Sequence, residues 1–112
     1  MAGTETIAFL RRSTSAPDRY SRVMTVTASA YTRYDTGNGA FTSRGHTLRK
    51  GLVAVDPNVI PLGTRLFING YGYAIADDIG GAINGSRIDL AFESRNEALE
   101  FGVQKVTVYI LD

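Results

Sequence analysis

Apolar and polar residues alternate along several short stretches of the chain, and most of these stretches are bounded by glycine, proline or asparagine. Between residues 23 and 31 every second residue from Met24 onwards is apolar, and threonine or serine fills the positions between them. This period of two predicts a half-buried strand and the start of a folded domain at Val23. Similar runs predict further strands over residues 51–55, 64–69, 71–76, 87–92 and 103–111.

Local turn and cap residues define two further features. Asn69 and Gly70 separate two predicted strands, and both tolerate a positive φ, so the pair predicts a tight hairpin. Ser94 and Glu97 form a capping-box pattern and Gly102 stands where a helix C-terminal glycine belongs, which predicts one helix over residues 94–101. Six short strands and one helix predict a mostly β fold, a small six-stranded barrel with one short helix near the C-terminus. Closing the sheet would remove its exposed edges.

The remaining segments are expected to lie outside the core. Residues 1–22 are polar and basic, which predicts a linker or a disordered arm, and residues 23–112 are expected to form a single domain. Residues 35–45 are rich in glycine, threonine, asparagine and serine and are expected to form a loop. Because loops often carry binding residues, Thr42, Ser43 and Arg44 are candidate substrate-binding residues, with a merely solvated loop as the alternative.

The chain contains no cysteine and a single histidine, His46. Disulfides, thiol nucleophiles and cysteine-bound metals are therefore excluded. No motif supports a zinc site or a catalytic triad at His46, so we expect an exposed turn histidine and neither a metal nor another cofactor. The formal net charge of +1 names no ligand. No nucleic-acid partner is expected, and no run approaches the roughly 20 apolar residues that a membrane span needs.

Three aspartates stand at or beside the predicted strands: Asp56, Asp78 and Asp89. A carboxylate at the rim of a core is partly desolvated, which raises its pKa towards the range of a general acid. Asp89 lies between two apolar residues inside a predicted strand, where aspartate is disfavoured unless it has a purpose. Acid–base chemistry is therefore the leading hypothesis, with these three residues as candidate catalytic groups.

The acids also have structural interpretations. Asp56 opens an Asp-Pro turn, in which its carboxylate can accept backbone N–H groups. Arg87 lies two positions from Asp89 on the same strand face and can pair with it. Asp77 is expected on the opposite side of its strand from the next aspartate, either solvated or paired with Arg65 or Arg87.

Aromatic residues and glycines near the acids are further candidate substrate contacts. Tyr31 and Tyr71 offer ring surface that suits stacking on sugars, although tyrosines also serve as ordinary packing at a barrel rim. Gly80 and Gly81 follow the second aspartate and allow a ligand to approach the backbone closely. All four are predicted to bind substrate.

Several motifs occur together and in a characteristic order along the chain: Val53-Ala54-Val55-Asp56-Pro57, Ile60-Pro61-Leu62-Gly63-Thr64, Asp78-Ile79-Gly80-Gly81-Ala82-Ile83-Asn84-Gly85 and Arg87-Ile88-Asp89. This set resembles the 3D (three-aspartate) domain of bacterial cell-wall proteins, over residues 25–111. That family is similar to the catalytic domain of membrane-bound lytic transglycosylase A. It is also similar to the small stationary-phase survival enzymes of spore-forming bacteria.

The resemblance implies a double-psi β-barrel and a lytic transglycosylase that cleaves the β-1,4 bond between N-acetylmuramic acid and N-acetylglucosamine. The products would carry 1,6-anhydromuramoyl ends. Matched position by position, Asp89 would be the acid/base, Asp78 a supporting carboxylate and Asp56 the third acid. The implied partner is the peptidoglycan glycan strand, and the implied location is extracytoplasmic, secreted or wall-associated. We expect a monomer, with a strand-exchanged dimer as the alternative.

Two other functions remain open at this point. The small size of the chain is compatible with a non-catalytic glycan-binding module of the expansin-like type, because a fold does not fix an activity. A glycoside hydrolase that uses two carboxylates and a water molecule is the other possibility.

Overall fold

The computed structural model describes residues 16–35, 41–80 and 82–111. The described part of the chain contains six strands and one helix, in the order β1 (Arg22–Tyr31), β2 (Leu52–Val55), β3 (Arg65–Ile68), β4 (Gly72–Ile79), β5 (Arg87–Ala91), α1 (Arg95–Phe101) and β6 (Gln104–Ile110). Within these residues no helix is both long and apolar enough to cross a membrane.

The strands close into a barrel in the order β1-β5-β2-β4-β3-β6, with the first strand hydrogen-bonded to the last. Strand β1 runs parallel to β5 and β2 runs parallel to β4, while the other pairs are antiparallel. The predicted six-stranded barrel is confirmed, and so is the hairpin at Gly70, which joins β3 to β4 with a φ of 83°. The double-psi topology remains a prediction.

The core fills the inside of the barrel with aliphatic side chains from all six strands. Burying these β-branched and leucine residues supplies most of the stabilisation, at roughly 25 cal/mol per Å² of apolar surface. Fully buried members include Val26, Val53, Leu66, Ile88, Leu90 and Val108. In β1, β3 and β6 buried residues alternate with more exposed ones, whereas all four residues of β2 are buried.

Helix α1 has the ends that local sequence predicts. The Ser94 hydroxyl accepts a hydrogen bond from the Glu97 backbone N–H at 3.1 Å, and the Gly102 N–H donates to Ala98 O at 3.0 Å. Gly102 has a φ of 64°, a conformation that favours glycine. The helix packs against the barrel through Phe101, whose ring centroid lies 5.5 Å from that of Phe92.

Strand β4 is longer than predicted and carries a bulge. Val53 of β2 pairs with Ala76, and the next residue, Ala54, pairs with Asp78, so the register passes over Asp77. Ala76 and Asp77 are both buried although they are neighbours in the strand. The extra residue turns Asp78 to the outer face of the barrel, where strict alternation from Ala74 and Ala76 would have directed it into the core.

Candidate active site

Two carboxylates lie in register on the outside of the barrel. Ala54 of β2 pairs with Asp89 of β5 on one side and with Asp78 of β4 on the other. On the far side of β5, Asp89 pairs with Ser29 of β1. We call the cross-strand set Ser29, Asp89, Ala54 and Asp78 the acid row. Ala54, between the two acids, is buried beneath Tyr31 and Leu48.

Asp89 is half-buried and has one hydrogen-bonded side-chain partner in the acid row. Its Oδ1 accepts a hydrogen bond from the Ser29 hydroxyl at 3.0 Å. Burial raises the pKa of Asp89 above its ordinary value, and the negative charges of Asp35 and Asp78 raise it further. The Ser29 hydrogen bond and Arg87 act in the opposite direction but do not cancel the rise. A raised pKa is what a general acid working near neutral pH needs.

Asp78 is held by more donors than Asp89. Its Oδ1 accepts hydrogen bonds from the Ser43 backbone N–H at 2.9 Å, the Ser43 hydroxyl at 2.8 Å and the Ile79 backbone N–H at 2.9 Å. Its Oδ2 accepts a hydrogen bond from the Tyr31 hydroxyl at 3.3 Å. These donors fix the orientation of the carboxylate beside Asp89.

Tyr31 lies over the middle of the acid row. It packs with Leu48, Ala54 and Ala91 in a small apolar cluster outside the barrel core. Burial raises the pKa of the Tyr31 hydroxyl, and the charges of Asp78 and Asp89 add to the effect, so the hydroxyl remains a donor. Only 6% of the residue is exposed, which leaves little ring surface for stacking on a sugar. Its predicted contact with substrate stays a prediction.

The interpretation of Asp77 as solvated or paired with Arg65 or Arg87 is wrong. Asp77 is 1% exposed, and it accepts hydrogen bonds from the Thr42 hydroxyl at 2.6 Å and from Arg44 Nη1 at 2.9 Å. Its Oδ2 also lies 2.7 Å from His46 Nδ1. Burial raises the pKa of Asp77, but its hydrogen bonds together with the charge of His46 outweigh burial and hold the pKa below its ordinary value.

These contacts attach residues 41–47, which we call the tether loop, to strand β4. The same loop carries Ser43, so Asp77 holds in position the residue that holds Asp78. His46 is exposed, as predicted, and its ring nitrogen Nδ1 contacts the Asp77 carboxylate.

Asp56 shapes the loop that separates the other two acids. Its Oδ1 accepts a hydrogen bond from the Asn58 N–H and its Oδ2 accepts one from the Gly85 N–H, each at 2.9 Å. The hydrogen bonds from Gly85 and Asn58 hold the pKa of Asp56 below its ordinary value. This is the turn chemistry that the Asp-Pro pair predicts, and a catalytic role for Asp56 stays a prediction.

The other predicted substrate contacts occupy different environments. Thr42 is buried in the tether loop. The Tyr71 hydroxyl donates to Ala91 O and accepts from the Gly51 N–H, and burial raises its pKa to about 12. Gly80 lies against Ile83, and Gly81 falls outside the described residues. Their binding roles stay predictions.

Sequence reasoning missed Ser29 and Asp35 as contributors to the site, and it did not predict that Ser43 contacts Asp78. Ser29 and Ser43 donate to the two central acids, and Asp35 adds a negative charge near Asp89. The alternation of strand β1 does direct Ser29 outwards, but only the parallel pairing of β1 with β5 brings it to Asp89. Asp35 and Ser43 lie in loops, where no periodicity predicts a neighbour. Among residues 16–35, 41–80 and 82–111, no group of three histidine or acidic side chains is arranged to hold a metal ion.

The barrel has counterparts among solved structures. MltA from E. coli matches it with a TM-score of 0.55 at 24% identity, over 70% of this chain and 29% of MltA. The lytic transglycosylase LtgG of Burkholderia pseudomallei matches with a TM-score of 0.50 at 23% identity, over 69% of this chain and 28% of LtgG. The Streptomyces papain inhibitor matches with a TM-score of 0.59 at 20% identity, covering 83% and 97% of the two chains. At these identities the likeness shows the fold alone.

Curated relatives share more of the sequence. The cell wall-binding protein YocH of Bacillus subtilis (strain 168) is 46% identical over 96 residues, which cover 82% of this chain. The putative cell wall shaping protein YabE of the same organism is 43% identical over 95 residues, or 81% of this chain. The matched segments make up 33% of YocH and 23% of YabE, so this chain spans at most about a third of either relative.

The family comparison covers the acid-bearing half of the chain. The 3D domain matches residues 51–112, a segment that contains Asp56, Asp78 and Asp89 and all strands from β2 to β6. Because the match spans more than half of the sequence and includes all three acids, this chain belongs to the 3D domain family.

Proposed function

We propose that the chain is a peptidoglycan lytic transglycosylase domain that acts outside the cytoplasm, with Asp89 as its general acid and base. The observation that carries the proposal is the acid row. It sets a half-buried carboxyl with a raised pKa two strands away from a second, firmly oriented carboxylate. The likeness of the barrel to MltA and LtgG, and the wall-related names of the relatives, agree with a peptidoglycan substrate.

In the proposed reaction one carboxyl group performs both proton transfers. Protonated Asp89 donates its proton to the glycosidic oxygen, and the bond between that oxygen and C1 of N-acetylmuramic acid breaks. The C6 hydroxyl of the same sugar then attacks C1, and its proton passes to the Asp89 carboxylate. The product carries a 1,6-anhydro ring, no water is consumed and Asp89 ends protonated for the next cycle.

Asp78 would stabilise the positive charge that develops on the sugar. The transition state of glycoside cleavage resembles an oxocarbenium ion, which a nearby negative charge favours. Asp78 is suited to this role because four hydrogen-bond donors fix its direction before the substrate arrives. Its charge also raises the pKa of Asp89, so the two acids divide the work.

A second candidate function is binding to the wall without cleavage. The name of YocH, a cell wall-binding protein, favours it. Both functions predict that the protein sediments with insoluble peptidoglycan, so binding alone does not separate them. The products of digestion do.

The test is to digest purified peptidoglycan, treat the products with borohydride and identify them by mass spectrometry. Borohydride reduces the free end left by a hydrolase, whereas a 1,6-anhydro end has no free aldehyde and stays unreduced. Anhydro ends are expected. Reducible ends would instead identify a hydrolase, and binding without any release of products would identify a wall-binding module.

Asp89→Asn should abolish this release while the barrel stays folded. The amide keeps the shape of the side chain but has no proton to transfer, so turnover should fall by at least the roughly 10²–10⁴-fold that general acid–base catalysis supplies. Rates of anhydro-end formation and thermal melts are compared for wild type and variant. Glu100→Gln, the same carboxyl-to-amide change on helix α1, is the control. An active Asp89→Asn protein would overturn the assignment.

A further inference from the structure

A row of aromatic side chains crosses the outside of the barrel, away from the acids. The ring of Tyr73 on β4 lies 4.9 Å from that of Phe67 on β3, and Phe67 lies 6.2 Å from Tyr109 on β6. Tyr20, just before β1, continues the line at 5.0 Å from Tyr109. Strand register produces the row, because Phe67 pairs with both Tyr73 and Tyr109. We call these four residues the aromatic row.

Much of the aromatic row faces solvent. Tyr73 is 68% exposed and Tyr20 is 43% exposed, while Phe67 and Tyr109 are half-buried between them. Leaving a continuous line of four rings uncovered is unfavourable in water, and exposed apolar patches of this kind mark interaction sites. Tyrosine supplies rigid ring surface together with a hydroxyl that water or a polar ligand can reach.

Positive charge gathers at the Tyr73 end of the row. Tyr73, Arg49 and Arg65 line a cleft of about 310 Å³ between β3, β4 and the chain before β2. An adjoining pocket shares Arg65 and Tyr73 with this cleft and adds Arg19 and Asp18. Among the described residues that line the two pockets, three are therefore basic and one is acidic. Arginine binds carboxylates through paired N–H donors, so the cleft suits an anionic group.

The central strands of the aromatic row and the acid row lie on opposite sides of the barrel, although each row also includes one residue of β4. In the closed order β1-β5-β2-β4-β3-β6, the central strand of the aromatic row, β3, is separated from β5 by two strands on either side. Asp89 stands on β5, and its outward side chain therefore points away from the outer face of β3. A ligand bound along the aromatic row would leave the acids accessible.

We propose that this face is a second binding site for peptidoglycan, which takes a sugar ring on the aromatic row and the carboxylates of the attached stem peptide in the arginine cleft. The identity of the polymer rests on the proposed function. The two parts of the face together select the ligand: an uncharged glycan would not use the arginines, and a teichoic acid, which is mainly a phosphate chain, would not use four aligned rings. A peptide-bearing sugar uses both.

The test measures binding in the Asp89→Asn background, in which the proposed cleavage activity is absent. The probe is a soluble disaccharide-tetrapeptide from peptidoglycan, titrated by calorimetry beside a chito-oligosaccharide that carries no peptide. Two variants alter the proposed site, Tyr73→Ala and Arg65→Glu. Two matched controls make the same changes elsewhere: Leu99→Ala removes an exposed apolar side chain on α1, and Lys105→Glu reverses a charge at the far end of β6.

Tyr73→Ala and Arg65→Glu should each weaken muropeptide binding by about five- to tenfold, the scale of one stacking or charged contact, while the controls leave it unchanged. The chito-oligosaccharide should bind more weakly than the muropeptide. Raising the ionic strength to about 1 M, where the Debye length is about 3 Å, should remove most of this difference. Thermal melts check that each variant is folded.

Four results would overturn the proposal. Equal binding by the Asp89→Asn parent and both site variants would show that this face does not bind the muropeptide. Equal affinity for the two probes would show that the arginines do not bind its carboxylates. Sacculi that lose binding once teichoic acid is stripped from them would assign the face to that polymer. A dimer in sedimentation equilibrium that Tyr73→Ala dissociates would assign it to a second copy of the chain. Loss of peptidoglycan cleavage in Asp89→Asn is measured separately, so failure of the enzyme proposal and failure of this one are distinct.

Discussion

The proton on Asp89 is controlled by neighbours that act in opposite directions. Burial and the charges of Asp35 and Asp78 favour the protonated form, whereas the Ser29 hydroxyl donates to the carboxylate and favours the ionised form. A general acid works only while it is protonated, so activity should fall as the pH rises through the pKa of Asp89. The upper pH limit of turnover therefore reports on this residue.

Two substitutions should move that limit in opposite directions. Ser29→Ala removes a hydrogen bond to the carboxylate, so the pKa of Asp89 should rise and the limit should shift to higher pH. Asp35→Asn removes a nearby negative charge, so the pKa should fall and the limit should shift to lower pH. Rates of anhydro-end formation across a pH series measure both. Shifts in the same direction for the two variants would contradict this account of the site.

Asp77→Ala should loosen the tether loop and lower stability by about 1–3 kcal/mol, since it removes the acceptor to which the Thr42 hydroxyl donates. The loss should lie near the lower end, because Arg44 and His46 are exposed and can turn to water. The pKa of Asp77 is lowered in the fold, so its contribution is present above the ordinary aspartate pKa and is lost as the pH falls through the lowered value.

Chemical denaturation near pH 7 and near pH 3 measures this contribution, and the difference between wild type and variant should shrink in acid. Asp77→Asn keeps the size of the side chain and one acceptor oxygen, so its stability should lie between those of wild type and Asp77→Ala. A difference that grows in acid would rule out the proposed attachment.

At the residue scale the sequence is informative about Asp89 and misleading about Asp77. An aspartate inside an apolar strand is costly enough to stand out, and Asp89 does lie in the acid row. The prediction for Asp77 rests on alternation, which assumes an unbroken strand. The bulge interrupts the alternation, and no local residue pattern predicts the bulge.

At the scale of elements, the β4 bulge decides which aspartate joins the site. It arises where β4 runs parallel to β2, and that pairing links residues more than 20 positions apart in the sequence. Helix α1 is the opposite case, because Ser94, Glu97 and Gly102 determine its ends through contacts only a few residues long. Elements fixed by local chemistry are predictable from sequence, whereas those fixed by distant pairing are not.

The segment between β4 and β5 depends on the absence of a side chain at Gly80. A Cβ at this position would lie 2.6 Å from Ile83 Cγ1, and Ile83 is buried. Gly80→Ala should therefore destabilise the fold by about 1–3 kcal/mol, the usual cost of overpacking.

Ile83→Ala removes the atom that would clash, so the double variant should be less destabilised than the sum of the two single changes. Thermal or chemical unfolding of the four proteins in this cycle measures the coupling. Simple additivity would show that the two side chains do not meet.

For the whole molecule, the number of strands and the closed barrel could be predicted because each strand carries its own alternating pattern. The order β1-β5-β2-β4-β3-β6 could not. Among the strands that the structure describes, β3 and β4 are the only two that are both consecutive in sequence and neighbours in the barrel. The acid row depends on this order. The motif order identifies the three acids, and the distant pairings bring Asp78 and Asp89 into one row.

Deleting residues 104–111 should unfold the barrel. Strand β6 is the antiparallel partner of both β1 and β3, so its loss would expose two strand edges and part of the core at once. Circular dichroism should show no cooperative thermal transition, and size-exclusion chromatography should show aggregation. Removing residues 1–15, part of the predicted arm, is the control and should leave the transition intact. A cooperative melt of the shortened barrel would contradict the expectation.

The pairing of the first strand with the last also sets the timing of folding. Arg22 lies opposite Ile110, so the barrel cannot close until β6 is available to pair with β1. Contacts this distant in sequence slow folding to the order of milliseconds to seconds. A growing chain that lacks β6 therefore cannot complete the barrel, and we expect it to stay unfolded until β6 is available. For a domain proposed to work outside the cytoplasm, late closure would keep the chain unfolded, and so ready for export, while it is being synthesised.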